Sequence, residues 1–101
     1  MKTVLWSDDA DRDLEEIREY SEENWGQERA EKYIRQIFTL LVDLSSGLRH
    51  GDPITFARKE YLRVVLESHN LYYEMDASTL FVHRILHSRQ NQAKHLRVRG
   101  K

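Results

Sequence analysis

The side chains with chemistry to offer crowd toward the end of the chain. There Leu80-Phe81-Val82-His83-Arg84-Ile85-Leu86-His87-Ser88-Arg89 sets arginine and histidine among aliphatic residues. Arg84 and Arg89, with Arg63 upstream, are permanent cations able to hold an anionic group, and His87 brings an imidazole, the side-chain type suited to general acid or base work. From Arg84 to Lys101 there are six Lys or Arg and no acid, so Lys94 and Arg97 continue the same basic surface. By contrast Ser7 to Glu31 carries eleven acids against three arginines. An acidic first third set against a basic end suits an anionic or acidic partner for the basic end, or simply a solvated helix followed by a solvated tail.

Other chemistries find no residues to support them. The five histidines are not spaced with acids as metal ligands, and the absence of cysteine removes thiolate sites and disulfides. No glycine loop suited to phosphates and no serine nucleophile motif is present, so neither metal nor cofactor is expected. The start lacks a long apolar run and no stretch approaches the roughly 20 residues that span a bilayer. The expectation is a cytoplasmic protein with no membrane partner. A net charge of −1 gives no overall pull toward nucleic acid, so direct specific DNA binding is not expected.

These side chains need a frame, and the hydrophobic pattern supplies one. Thr3 to Trp6 reads as a short strand. Ser7, Asp8 and Asp9 offer caps for a helix whose stripe is Ala10, Leu14, Ile17 and Tyr20 or Ser21. Asn24-Trp25-Gly26 ends it, and a second helix from Gln27 shows Ala30, Tyr33, Ile34, Ile37, Phe38, Leu41 and Leu44. Ser45 to Pro53, with two glycines and the only proline, reads as loop. The period then changes to two: Leu62–Leu66, Leu71–Met75 and Leu80–His87 are strands joined at Glu67–Asn70 and Asp76–Thr79. The expected fold is α+β, β-α-α-β-β-β, a helical hairpin on one face of an antiparallel sheet, as a single domain over 1–101. Its core should hold Leu14, Ile17, Ile34, Ile37, Leu41, Val64, Tyr73 and Ile85. Trp6 and Trp25 are expected to serve the core, with Trp25 partly exposed at the bend, whereas His50, His69 and His83 are expected on loop, turn or surface positions.

Three motifs, in this order, carry a resemblance. They are Ala10-x-x-Asp13-Leu14-x-x-Ile17-x-x-Tyr20, His69-x-Leu71-x-Tyr73, and Val82-x-Arg84-Ile85-Leu86-His87-x-Arg89 followed by His95-Leu96. Together with the helical bend at Asn24-Trp25-Gly26, they resemble the RelE/ParE superfamily of toxins from type II toxin–antitoxin modules, and the ParE type most closely. Glu74 replaces the arginine common after the strand tyrosine, and Gln92 replaces a proline common after the closing strand.

The resemblance implies a plasmid-stabilisation toxin neutralised by a cognate antitoxin, ParD-like or similar, with Arg63, Tyr72 and Trp25 at the antitoxin surface. In the ParE branch it implies growth inhibition by binding DNA gyrase without catalysis, through Arg84, His87, Arg89, Lys94 and Arg97. In the RelE branch it implies mRNA cleavage on the ribosome, with His87, Arg84, Arg89 and Arg63 as the catalytic set. The tail has no tyrosine and the net charge is near zero, which favours the gyrase reading. A protein-binding module without toxicity is the further alternative. Arg84 also has a purely structural reading as partner to an acid of the first helix, and His87 as a hydrogen-bonding group at a strand end.

Overall fold

The computed structural model describes residues 2–56 and 58–89. β1 (Thr3–Trp6) leads into α1 (Asp8–Trp25), and α2 (Gln27–Ser46) follows after one residue. Ser7 caps α1: its extended backbone turns Oγ toward the Ala10 N–H at 2.9 Å, and Asp8, Asp9 and Asp11 occupy the first turn, where the helix dipole favours acids. Gly26 makes the bend alone. Its φ of 89° and ψ of 163° form a conformation essentially reserved for glycine, and it serves both helices, donating its N–H to the Glu22 carbonyl and accepting from the Ala30 N–H.

Four more strands follow: β2 (Asp52–Phe56), β3 (Lys59–Leu66), β4 (His69–Met75) and β5 (Thr79–His87). The sheet order is β1-β5-β4-β3-β2. The β3–β4 and β4–β5 hairpins are antiparallel, as expected; β2 adds a third antiparallel pairing with β3, and β1 runs parallel to β5, so the sheet is mixed. β2 begins inside the stretch from Ser45 to Pro53 that composition reads as loop and runs on past it to Phe56. Pro53 sits in it as an edge-strand residue paired with Leu62, a position where a missing N–H costs little. Gly51, just before β2, is a close approach: a Cβ there would fall 2.5 Å from the Tyr73 hydroxyl, which accepts the Gly51 N–H.

The core lies between the helices and the sheet. Ile17, Ile34, Ile37, Leu41, Val64, Tyr73 and Ile85 are buried there as expected, and Leu14 packs at its margin. Two positions in α2 differ. Leu40 is buried, whereas Phe38 is 46% exposed and leans on Trp6 with ring centroids 5.8 Å apart. A helix against a sheet buries a face about as wide as its contact, and Phe38 falls at the rim. On the other face of the sheet Tyr61, Tyr72 and Leu86 form a second cluster with Ile54.

Strict alternation fails in β5. Tyr72 pairs with Arg84 but Tyr73 pairs with Val82, so His83 is the extra residue of a β-bulge. Leu80, Val82 and Ile85 therefore join the main core, a step of three in place of two, and Leu86 falls on the opposite face. Ile37, with no exposed surface, provides a direct test of this architecture. Ile37→Ala should cost about 2–5 kcal/mol in urea unfolding. A loss below about half a kilocalorie would place it outside the core.

Candidate functional site

β1 covers only the first half of β5, since its last pairing is Trp6 with Val82. Beyond that point α1 takes over the exposed strand edge. The Ser7 N–H reaches the Val82 carbonyl at 3.0 Å and Ser7 Oγ donates to the His83 carbonyl at 2.7 Å. One turn and a half into the helix, the Asp13 carboxylate accepts the Ile85 N–H at 2.9 Å. It also receives Arg84 in a fork, Nε at 2.8 Å and Nη2 at 2.9 Å, while Asp9 lies 3.9 Å from Nη1. Both partners are nearly enclosed, with side chains 8% and 12% exposed for Asp13 and Arg84. The hydrogen bonds to Asp13 outweigh desolvation and raise the Arg84 pKa further above its ordinary value.

Arg84 is thus a partner to an acid of the first helix, and its guanidinium is occupied within the fold. This corrects the expectation that it faces a target directly. Tyr72 is corrected likewise: at 1% exposed, it lies in the second cluster and offers no surface to an antitoxin. Arg63 pairs with Tyr72 across β3–β4, and Tyr72 pairs with Arg84 across β4–β5. Arg63 and Arg84 are therefore two strands apart, about 10 Å along the hydrogen-bonding direction. Of the nuclease set, Arg84 is engaged by Asp13 and His87 by the Arg89 backbone. Arg89 is exposed at the end of β5, and Lys94 and Arg97 lie outside the described residues.

The histidines are more deeply engaged than the sequence indicates. His83 is buried, hydrogen-bonded through Nε2 to Glu74 at 2.5 Å and set edge-on between Tyr61 and Phe81. Desolvation would raise the Glu74 carboxyl, but hydrogen bonds from His83 and Lys59 win and hold it below its ordinary value. His69 is half-buried, with Nδ1 2.7 Å from the Tyr33 hydroxyl, which also lies 3.0 Å from the Leu66 carbonyl. Tyr33 has one proton and a carbonyl only accepts, so the pattern assigns Nδ1–H of His69 as donor to Tyr33 and Tyr33 as donor to Leu66. Burial, with His87 nearby, lowers His69 to about 4, and burial pushes Tyr33 up to about 12. His87 accepts the Arg89 N–H at Nδ1, 3.1 Å away, as a group closing the strand end. Its ring meets His69 edge-on at 5.4 Å.

The most accessible aromatic group is at the helical bend. Trp25 is 43% exposed, with Tyr20 edge-on at 6.0 Å and the Arg29 guanidinium over its ring at 5.2 Å. It separates two depressions: a broad one of about 530 Å³ along α2, with Arg29, Lys32 and Arg35, and a smaller one of about 270 Å³ toward His69 and His87. The sequence does not announce the smaller cavity, because it joins residues from α1, β4 and β5. Among the described residues no helix is long and apolar enough to cross a membrane.

This arrangement has relatives. Residues 4–92 match the family described as ParE toxin of type II toxin–antitoxin system, parDE. Toxin ParE1 of Caulobacter vibrioides is 31% identical over 96 residues, covering 95% of this chain and 99% of that protein. Toxin ParE1 of Mycobacterium tuberculosis is 30% identical over 93 residues, covering 91% and 95%. A solved structure of the chromosomal ParDE TA system from P. aeruginosa shares the fold with a TM-score of 0.70 at 20% identity, covering 86% of this chain and 96% of that one.

Two outcomes test the geometry. Asp13→Ala leaves a buried guanidinium and the Ile85 N–H without their acceptor and should cost about 3–5 kcal/mol in denaturant unfolding, while Asp13→Ala with Arg84→Met should recover part of that. His69 gives a pH signature. The unfolded chain takes up this proton near 6.5 and the folded chain only near 4. The unfolded state therefore binds more protons between those values, so stability is full above pH 6.5 and falls as pH drops toward 4. Glu74 adds its own loss only below the ordinary carboxyl value of 4.5. His69→Gln should flatten the slope between pH 4.5 and 6.5, and an unchanged slope would show that His69 does not set it.

Proposed function

The chain belongs to the ParE toxins of type II toxin–antitoxin systems, and on that premise we propose that it arrests growth by binding DNA gyrase and is neutralised by a cognate antitoxin. The observation that carries the choice of binding over cleavage is the Asp13–Arg84 fork. Cleaving RNA would require cations free to hold the phosphate and a positioned acid–base pair. Arg84 is taken by Asp13, Arg63 lies two strands away, and the His87 Nδ1 is occupied by the Arg89 backbone. What faces outward just past the end of β5 is Arg89, in the turn that follows the strand. The target surface is therefore Arg89 with the adjoining His87 edge, and Lys94 and Arg97 beyond it. Arg84 positions the strand from within.

For the antitoxin, Trp25 supplies the exposed aromatic anchor, and an aromatic of this size surrounded by charged residues is a common centre of binding energy. Arg63, part-exposed on β3, adds a cation on the sheet. The wrapping segment of the antitoxin is expected to order on binding.

Expression alone should arrest growth, with rescue by the protein encoded beside it. Purified protein should block gyrase supercoiling. Arg89→Ala should weaken that block about tenfold or more, the loss of one charge-assisted contact, with unfolding unchanged. Cleavage of mRNA on translating ribosomes without an effect on supercoiling would overturn the gyrase assignment, and silence in both assays with normal growth would favour a module that only binds protein.

A further inference from the structure

The cavity of about 270 Å³ beside the histidine pair plays no part in the Asp13–Arg84 fork, although Asp13 forms one end of it. Its walls combine Ile17 and Ile85 with the aromatic pair Tyr20 and Trp25, and His69 and His87 complete it. It is slightly smaller than the roughly 300 Å³ at which clefts for small organic ligands begin, a size for one long side chain. Tyr20 is 60% exposed and Trp25 43%, a large aromatic surface left to water.

The charges of the site have one sign. Glu16 lines the cavity, and Glu19 and Glu23 follow it at helical spacing along the same side of α1. α1 as a whole carries nine acids against two arginines. Of the cations around it, Arg84 is neutralised by Asp13 with help from Asp9, and Arg29 is stacked over Trp25. In His69 the Nδ1–H is spent on Tyr33, so Nε2 is left as a lone-pair acceptor, and the ring's low affinity for protons keeps it so at neutral pH.

A ligand complementary to these groups has an apolar stem, a flat cationic head and several N–H donors. The stem lies against Ile17 and Ile85, the head stacks on an aromatic face, and its N–H groups reach Glu16 and His69 Nε2. A guanidinium meets all three demands at once, where an ammonium is a point charge with no face to stack. Trp25 already accepts one guanidinium, that of Arg29, over its ring.

We propose that this cavity is an arginine-binding site, filled by an arginine side chain of the antitoxin. The assignment of the occupant rests on the antitoxin reading given above. It is supported by continuity as well as charge: Trp25 and Ser68 wall both this cavity and the larger depression along α2, so a segment lying on α2 reaches the site without leaving the surface. The anionic helix at its mouth repels phosphate, which sets this surface apart from the exposed Arg89 just past β5.

The test is an NMR titration of the full-length labelled protein with acetyl-Ala-Ala-Arg-Ala-Ala-amide. A second peptide carries citrulline, which has the shape of arginine without the charge. The arginine peptide should give saturable shifts at the Trp25 indole N–H and the Ile85 amide, and citrulline should give none. Glu16→Gln, an exposed change that leaves the remaining amide spectrum in place, should weaken binding about tenfold, equivalent to about 1.4 kcal/mol. Tyr20→Ala should weaken it as well. Equal binding of citrulline, shifts confined to other surfaces, or no shifts at all would overturn the site. Addition of the antitoxin encoded beside the toxin should displace the peptide. If both bind together, the antitoxin is not the occupant. If the antitoxin does not bind at all, the antitoxin reading and the occupant fall together, while the peptide shifts still decide whether the cavity takes arginine.

Discussion

One carboxylate joins the two layers of this fold. β5 is the strand on which the sheet is built, parallel to β1 on one side and antiparallel to β4 on the other, yet β1 stops halfway along it. The remaining edge would expose backbone donors and invite pairing with another chain. Asp13 closes it from the helix side by accepting the Ile85 N–H, and Arg84 completes the carboxylate's hydrogen bonds. A buried charge pair alone is weak grounds for stability, since desolvation consumes much of its attraction. Here the pair also fixes register, because α1 meets β5 correctly only when Asp13 stands opposite Ile85.

The bulge at His83 is the companion device. With an extra residue in β5, Ile85 returns to the core while Leu86 packs against Tyr61 and Tyr72. Without it, Ile85 would face away from the helices and Arg84 would be set into an apolar layer. His83 is kept in place by Glu74 and two aromatic rings, so the irregular residue is fully accommodated. Glu74 thus has a structural role here, as the partner that holds the bulged His83.

Charge is unevenly spread over the described surface. α1 is acidic along its exposed side, and Arg89 stands exposed just past β5. The helical bend, with Trp25 at its tip, lies at the end of the acidic helix. Surfaces of opposite sign on one protein select different partners and discourage exchange between them.

Much of this was readable in the sequence because it depends on local periodicity. The two helices follow from stripes at helical spacing, the bend from Gly26, and the three long strands from alternation, so the layered α+β arrangement and most of the core are local consequences. β2 was hidden because an edge strand needs little hydrophobic pattern, and Pro53 and Gly51 mark such a segment as a loop. The parallel β1–β5 pairing and the bulge are long-range choices with no local signature. For the same reason the chain showed that Arg84, His69, His83 and His87 were chemically equipped but not whether they were free. Asp13 lies 71 residues before Arg84, and Tyr33 36 before His69. Residue type and spacing determine which side chains can react or bind. Only tertiary packing decides which of them meet each other first, because a buried charge or polar group must be satisfied inside the fold before anything is left for a partner.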